Sequence, residues 1–149
     1  MLEWIGKVFV VVILSRAVYT DIREGKIENS LIAAGLVMGI VTACLTGGLD
    51  RLLLSVRQSV LVMLSMFILF VIKGLGAGDI KLLSVLAVFM PEKILSVIVM
   101  AFLTTAAFIV MRMLVRFCRK RAMFKKREAL HFSVPIAVGI ALVWIAEWV

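Results

Sequence analysis

Long apolar segments with few charges dominate this chain, and they restrict it to folds that suit a lipid bilayer. Hydrophobic residues make up 64% of its 149 positions, far more than a water-soluble domain carries. No stretch between the apolar segments is long enough for a separate soluble domain. The composition therefore predicts a polytopic membrane protein.

Six apolar runs are separated by charges, glycine or proline, and each is predicted to be a helix. The runs cover residues 4–19, 30–46, 52–72, 80–90, 94–111 and 132–149. At about 1.5 Å rise per residue the fourth run reaches only about 17 Å, well short of a hydrocarbon core of about 30 Å. The expected fold is all-α, one integral membrane domain over residues 1–149 with about six transmembrane helices, the fourth of them short.

Basic residues are concentrated in one segment, and this predicts the orientation of the chain. Eight of the 17 Lys and Arg residues lie between Arg112 and Arg127. With that segment in the cytoplasm, thirteen basic residues lie inside and four outside, which agrees with the positive-inside rule. Both termini are then outside, in a multi-pass plasma membrane protein. Membrane lipids are the expected partners of the basic segment, and nucleic acid is not expected.

The first apolar run is expected to stay as a membrane span. No basic region precedes it, and no small-x-small cleavage site follows it, so it lacks the features of a removable signal peptide.

Two aspartates lie at the ends of predicted helices that meet the same membrane face. The first helix is predicted to end at Asp21 and the fourth to begin at Asp79. Two adjacent carboxyl groups lose their protons in separate steps, so one is ionised while the other is still protonated. The ionised group can deprotonate a water while the protonated group polarises a carbonyl. Asp21 and Asp79 are therefore candidate catalytic residues of a hydrolase.

Glycines precede Asp79 and have a physical role in this hypothesis. Without Cβ atoms, Gly76 and Gly78 are expected to let the backbone turn tightly and to let a substrate strand approach the carboxylate. Purely structural explanations stay open, because Asp79 could be the N-cap of its helix and Asp21 a solvated loop acid.

Other polar and small residues are interpreted as architecture. Asn29 and Ser30 are predicted to begin and cap the second helix. Gly35 and Gly39, spaced four apart on that helix, are predicted to allow close helix packing in lipid.

The acidic motifs resemble those of the type IV prepilin peptidases, membrane aspartyl proteases of the Gly-x-Gly-Asp class. Asp21 and residues 27–29 match the first motif, an aspartate followed after five residues by Ile-Pro-Asn, with Glu28 where proline is usual. Residues 76–82 match the second motif, Gly-x-Gly-Asp-x-Lys-Leu, in full. Residues 132–139 resemble the last helix of the family.

The resemblance implies an aspartic endopeptidase that cleaves a short basic leader from prepilin or pseudopilin precursors at the cytoplasmic face. Asp21 and Asp79 would activate the water, Gly76 and Gly78 would shape the substrate-binding site, and Lys81 is assigned no catalytic role. No metal and no organic cofactor are implied. Larger members carry an insertion with paired Cys-x-x-Cys motifs, associated with N-methylation. This chain has no such insertion and is similar to the short, peptidase-only forms that serve tight-adherence pili.

Two other functions stay open at this point. A small transporter could use membrane acids as ion sites, although carriers usually place them near the bilayer centre and show internal repeats. A non-catalytic partner in pilus or secretion assembly could use both aspartates as helix caps. Substitution of the aspartates distinguishes these alternatives from the peptidase.

Overall fold

The structure is a computed structural model that describes residues 2–118 and 132–146. These residues form five helices: α1 (Leu2–Glu24), α2 (Asn29–Val71), α3 (Ala77–Phe89), α4 (Ile94–Cys118) and α5 (Ser133–Ala146). The all-α prediction is confirmed. The described residues contain five helical elements, because α2 covers both the second and the third apolar run, and the predicted separation of these two runs is present as a kink within α2. Only Gly47 and Gly48 leave helical φ/ψ within it.

α2 is not a straight helix, because its two ends lie close together. A straight helix of 43 residues would be about 65 Å long. Its last residue, Val71, is only seven positions before Gly78, and Gly78 lies against Ile27, just ahead of the first residue of α2. Seven residues span at most about 25 Å, so α2 must fold back on itself. The reversal falls at Gly47 and Gly48, where a φ of 62° at Gly48 is readily adopted only by glycine.

α3 corresponds to the fourth apolar run and forms the centre of the core. It has 13 residues, which give a length of about 20 Å. Every residue from position 82 to position 89 is buried. A helix that is apolar on all sides needs neighbours on all sides, and α2 makes the most extensive contact with it. The prediction of a short fourth helix is confirmed.

Glycines on α2 allow that close contact. A Cβ atom at Gly35 would lie 2.8 Å from Cγ1 of Val85, and a Cβ atom at Gly39 would lie 2.8 Å from Cγ1 of Val88. Larger side chains would push α2 away from α3. The predicted packing face of Gly35 and Gly39 is therefore confirmed, and it is the kind of helix contact that membranes favour.

The outer surfaces of the bundle are apolar. Among the described residues, two helical segments are long and apolar enough to cross a membrane, namely α2 and Ile94–Val115 of α4, and α5 is a shorter apolar helix. Large side chains such as Leu64, Leu95 and Met111 are 64%, 71% and 66% exposed. Apolar surface of this extent marks contact with lipid. The protein is therefore membrane-associated, while the count of six spans stays a prediction.

Candidate active site

Asp21 lies in the last turns of α1 and is buried, with 9% of its surface exposed. The backbone N–H of Gly25 donates to the carbonyl oxygen of Asp21 over 2.9 Å, and Gly25 has a φ of 64°. A glycine in this conformation commonly ends a helix, so α1 stops at Glu24, three residues beyond the predicted end. Because Asp21 is helical and buried, the explanation as a solvated loop acid is wrong.

The carboxylate of Asp21 has a hydrogen-bond donor from the other end of the chain. Oγ of Ser133 donates to Oδ2 of Asp21 over 2.6 Å, and both residues are buried. A carboxylate away from water needs such donors, since an unpaired one is costly. Sequence reasoning did not single out Ser133. The only available signal was its place in the segment 132–139, which carries part of the family resemblance.

Asp79 is the third residue of α3 and lies in its first turn. The N-cap position belongs to Gly76, and no side chain caps the helix there. The alternative in which Asp79 is the N-cap is therefore wrong. A carboxylate in the first turn is stabilised by the helix dipole, and the side chain of Asp79 is partly exposed. It is thus more open to a substrate than Asp21.

The glycines before Asp79 allow close contacts. A Cβ atom at Gly76 would lie 2.9 Å from Oδ2 of Asp79, so the carboxylate lies over this glycine. A Cβ atom at Gly78 would lie 3.3 Å from Cβ of Ile27. The turn before α3 has a positive φ of 57° at Lys73, and Gly76 has extended φ/ψ at the N-cap. Contact of Gly76 and Gly78 with a substrate stays a prediction.

The two acidic motifs meet in the folded chain. Gly78, next to Asp79, lies against Ile27 in the connection that follows α1. Nζ of Lys81 donates to Oδ1 of Asn29 over 3.0 Å, across 52 positions of sequence. Helices α1 and α3 also contact each other. Asp21 and Asp79 therefore belong to packed elements at the same end of the bundle.

The residues around Asn29 hold the connection between α1 and α2. α2 begins at Asn29 as predicted, but its N-cap is Glu28 and no side chain caps it. The predicted capping role of Asn29 is thus wrong, because its side-chain oxygen accepts from Lys81. Glu28, at the position where the family usually has proline, accepts from Ser30 Oγ over 3.2 Å and pairs with Arg16 over 3.5 Å. These contacts fix the connection to α1 without a proline.

The described residues contain no group of three or more His, Cys, Asp or Glu side chains that could hold a metal ion. Most of the basic segment predicted to be cytoplasmic, and His131, lie outside the described residues.

A comparison with family models matches residues 8–111 to the type IV leader peptidase family. The match covers more than half of the chain and includes Asp21, Asp79 and the contacts between their motifs. Ser133 and the rest of α5 lie beyond it. Searches of curated proteins and of solved structures found no match.

Proposed function

We propose that this protein is a membrane aspartic endopeptidase that removes short basic leaders from prepilin or pseudopilin precursors, because the chain belongs to the type IV leader peptidase family. Residues 1–149 would form one multi-pass domain without a methyltransferase-type insertion, with the aspartates at the cytoplasmic face. The observation that carries the proposal is the packing of the Asp79 motif against the connection that follows Asp21. Family membership favours this function over the transporter and the non-catalytic partner.

The proposed reaction uses the two carboxylates as one unit. A water between them attacks the carbonyl carbon of the scissile bond, the ionised carboxylate takes a proton from that water, and the protonated one gives its proton to the carbonyl oxygen. The tetrahedral intermediate then collapses. The carboxylate that lost its proton recovers one from the new hydroxyl, and the other delivers its proton to the leaving nitrogen. The pair returns to its starting state with one shared proton.

Ser133 would act as a positioning residue in this reaction. Its hydroxyl donates to Oδ2 of Asp21 over 2.6 Å, which would restrain the rotation of the carboxylate. Proton transfer depends on oxygen positions that are correct to a fraction of an ångström. A buried donor on a packed helix provides such a constraint.

The substrate would be positioned by its own membrane anchor. A precursor with a hydrophobic helix lies in the same bilayer as the enzyme, so its leader is already held at the membrane surface. Anchoring of this kind lowers the entropy cost of bringing the scissile bond to the carboxylates, because the leader is already held near them. The partly exposed Asp79 and the glycines Gly76 and Gly78 would then meet the peptide strand.

The proposal is tested by co-expression of the protein with a panel of pilin-like precursors and detection of leader loss by gel shift. Asp21→Asn and Asp79→Asn are expected to abolish cleavage at unchanged abundance and membrane insertion. Asp50→Asn is the matched control, because Asp50 is an exposed acid at the far end of the bundle, and it should cleave normally. Cleavage that persists in Asp21→Asn or Asp79→Asn would remove that residue from the pair.

A further inference from the structure

A groove with a volume of about 710 Å³ lies beside the candidate active site. The end of α1, the second half of α4 and the start of α5 form its walls. Ile22 and Phe132 both line it. These two residues directly adjoin Asp21 and Ser133 in the chain, and the side chains of Asp21 and Ser133 are hydrogen-bonded over 2.6 Å. The groove therefore comes within one residue of the buried carboxylate.

The walls of the groove are almost entirely apolar. Phe108 of α4 and Val134 and Val138 of α5 line it and are exposed. Arg112 is the one charged side chain among the lining residues that the structure describes. A cation at the end of an apolar run lies at the level of the lipid headgroups. The groove thus extends from the membrane surface into the hydrocarbon region, and it suits an apolar segment that lies in the bilayer.

The width of the groove favours a helix over a lipid chain. On α4 the lining residues extend from Thr104 to Arg112, which is about 12 Å along the helix axis. A volume of about 710 Å³ over that length gives a mean cross-section of about 60 Å². Carbon atoms in contact lie about 4 Å apart, so one extended acyl chain fills only about 20 Å². A helix about 10 Å across fills about 80 Å², so the groove can enclose most of its width.

The two helices that form the long walls are joined to each other. Oγ1 of Thr104 donates to the carbonyl oxygen of Pro135 over 3.4 Å, and the ring centroids of Phe102 and Phe132 are 5.4 Å apart. Ala107 also lines the groove, and its methyl side chain allows a further helix to approach closely, as small residues do at helix contacts in membranes. The groove is therefore formed before any partner binds.

We propose that this groove binds the hydrophobic helix of the precursor and thereby presents the scissile bond to Asp21. The inference rests on the proposed function, because it assigns the surface of the same enzyme that receives the substrate. A helix between α4 and α5 would have its end at the membrane surface next to Ile22. The extended segment that joins this helix to the leader would then pass directly over the aspartate pair.

Photo-crosslinking in membranes tests the position of the substrate helix. Benzoylphenylalanine replaces Phe108 in an Asp79→Asn background, so that bound precursor is not consumed, and the precursor is one that wild type cleaves. Val110 is the matched control position, because it is on the same helix and is 54% exposed like Phe108 but does not line the groove. Precursor should be captured from position 108 and not from position 110. Equal capture at both positions, or capture of lipid alone at position 108, would overturn the proposal.

A second experiment fills the groove with a large side chain. Ala107→Trp should lower kcat/KM for the membrane-anchored precursor about tenfold, because the ring takes up space that the substrate helix needs. Ala106→Trp is the matched control, since Ala106 is the exposed neighbour that does not line the groove, and it should cleave as wild type does. Equal values of kcat/KM for the two variants would contradict the docking site.

A soluble peptide separates docking from damage to the aspartate pair. A peptide with the leader and the scissile bond but without the hydrophobic helix should be cleaved at the same rate by Ala107→Trp and Ala106→Trp, because it has no helix to dock. A tenfold loss on this peptide as well would show that Ala107→Trp disturbs the carboxylates, and the docking site would be refuted. No cleavage of any precursor by wild type would instead overturn the proposed function itself.

Discussion

The two ends of the helical bundle place their charged side chains differently. At the end that carries the acidic motifs, the carboxylate of Asp21 is buried and is held by the hydroxyl of Ser133 at 2.6 Å. At the other end, Lys7, Arg51, Glu92 and Lys93 are among the residues that line a cavity of about 200 Å³. One end therefore encloses a carboxylate within the packed helices, and the other places charged side chains of both signs around a cavity.

The buried arrangement suits what the aspartate end is proposed to do. Proton transfer needs oxygen atoms in fixed positions, which internal hydrogen bonds provide. α5 connects the two ends, because it contributes Ser133 to one and Trp144 to the other.

The largest effect is expected from a substitution that displaces α5 and thereby disturbs both ends. A Cβ atom at Gly139 would lie 2.9 Å from the backbone nitrogen of Ala101 and 3.2 Å from the carbonyl oxygen of Val97. Backbone atoms cannot move aside as a side-chain tip can, so Gly139→Ala should lower the free energy of unfolding by about 2 kcal/mol or more. Thermal unfolding in detergent measures this loss.

Gly6→Ala is the control for that experiment, because a Cβ atom at Gly6 would meet nothing within 4 Å. Within a helix this change should be neutral or slightly stabilising. Equal stability of Gly139→Ala and Gly6→Ala would contradict the close contact between α4 and α5.

A smaller effect, confined to the aspartate end, is expected from Ser133→Ala. Loss of the donor to Asp21 should lower kcat about tenfold and leave KM unchanged. A tenfold change corresponds roughly to the free energy of one hydrogen bond to a charged group. Cleavage kinetics on a purified precursor measure the two constants separately.

Ser55→Ala is the matched control for the serine substitution. Ser55 is also fully buried, but its hydroxyl has no hydrogen-bond partner among the residues that the structure describes. Its removal should be neutral or stabilising and should not change kcat. A kcat loss as large as that of Ser133→Ala would refute the positioning role.

The smallest effect is expected at the contact between the two motifs. The hydrogen bond from Lys81 to Asn29 lies near the surface, so solvent weakens it. A double-mutant cycle with Lys81→Met and Asn29→Ala should give a coupling of about 0.5 kcal/mol in the free energy of unfolding. Additive single effects would mean that the packing of Gly78 on Ile27 alone joins the motifs.

Features that depend on local composition were predicted from the sequence. The helical runs, the short central helix and the glycine face at Gly35 and Gly39 each follow from residue type and helical spacing. The family resemblance rested on two short motifs and is confirmed by the match over residues 8–111. The catalytic roles of Asp21 and Asp79 stay predictions.

Local rules were less successful where several conformations are compatible with the same residues. Asp79 and Asn29 both look like helix caps, yet neither is one, since Gly76 and Glu28 occupy those positions. Capping preferences describe the average helix end, and here Asn29 instead accepts from Lys81.

By itself, the sequence determined that this chain is helical, that it associates with a membrane and that it carries two aspartates in motifs of a leader peptidase, because each of these properties depends on neighbouring residues. Only the tertiary structure decided which distant groups meet. It placed Ser133 on Asp21 across 112 positions, folded α2 back on itself and gathered three cations around one cavity. Such contacts depend on how whole helices pack, and no local pattern of residues records that packing.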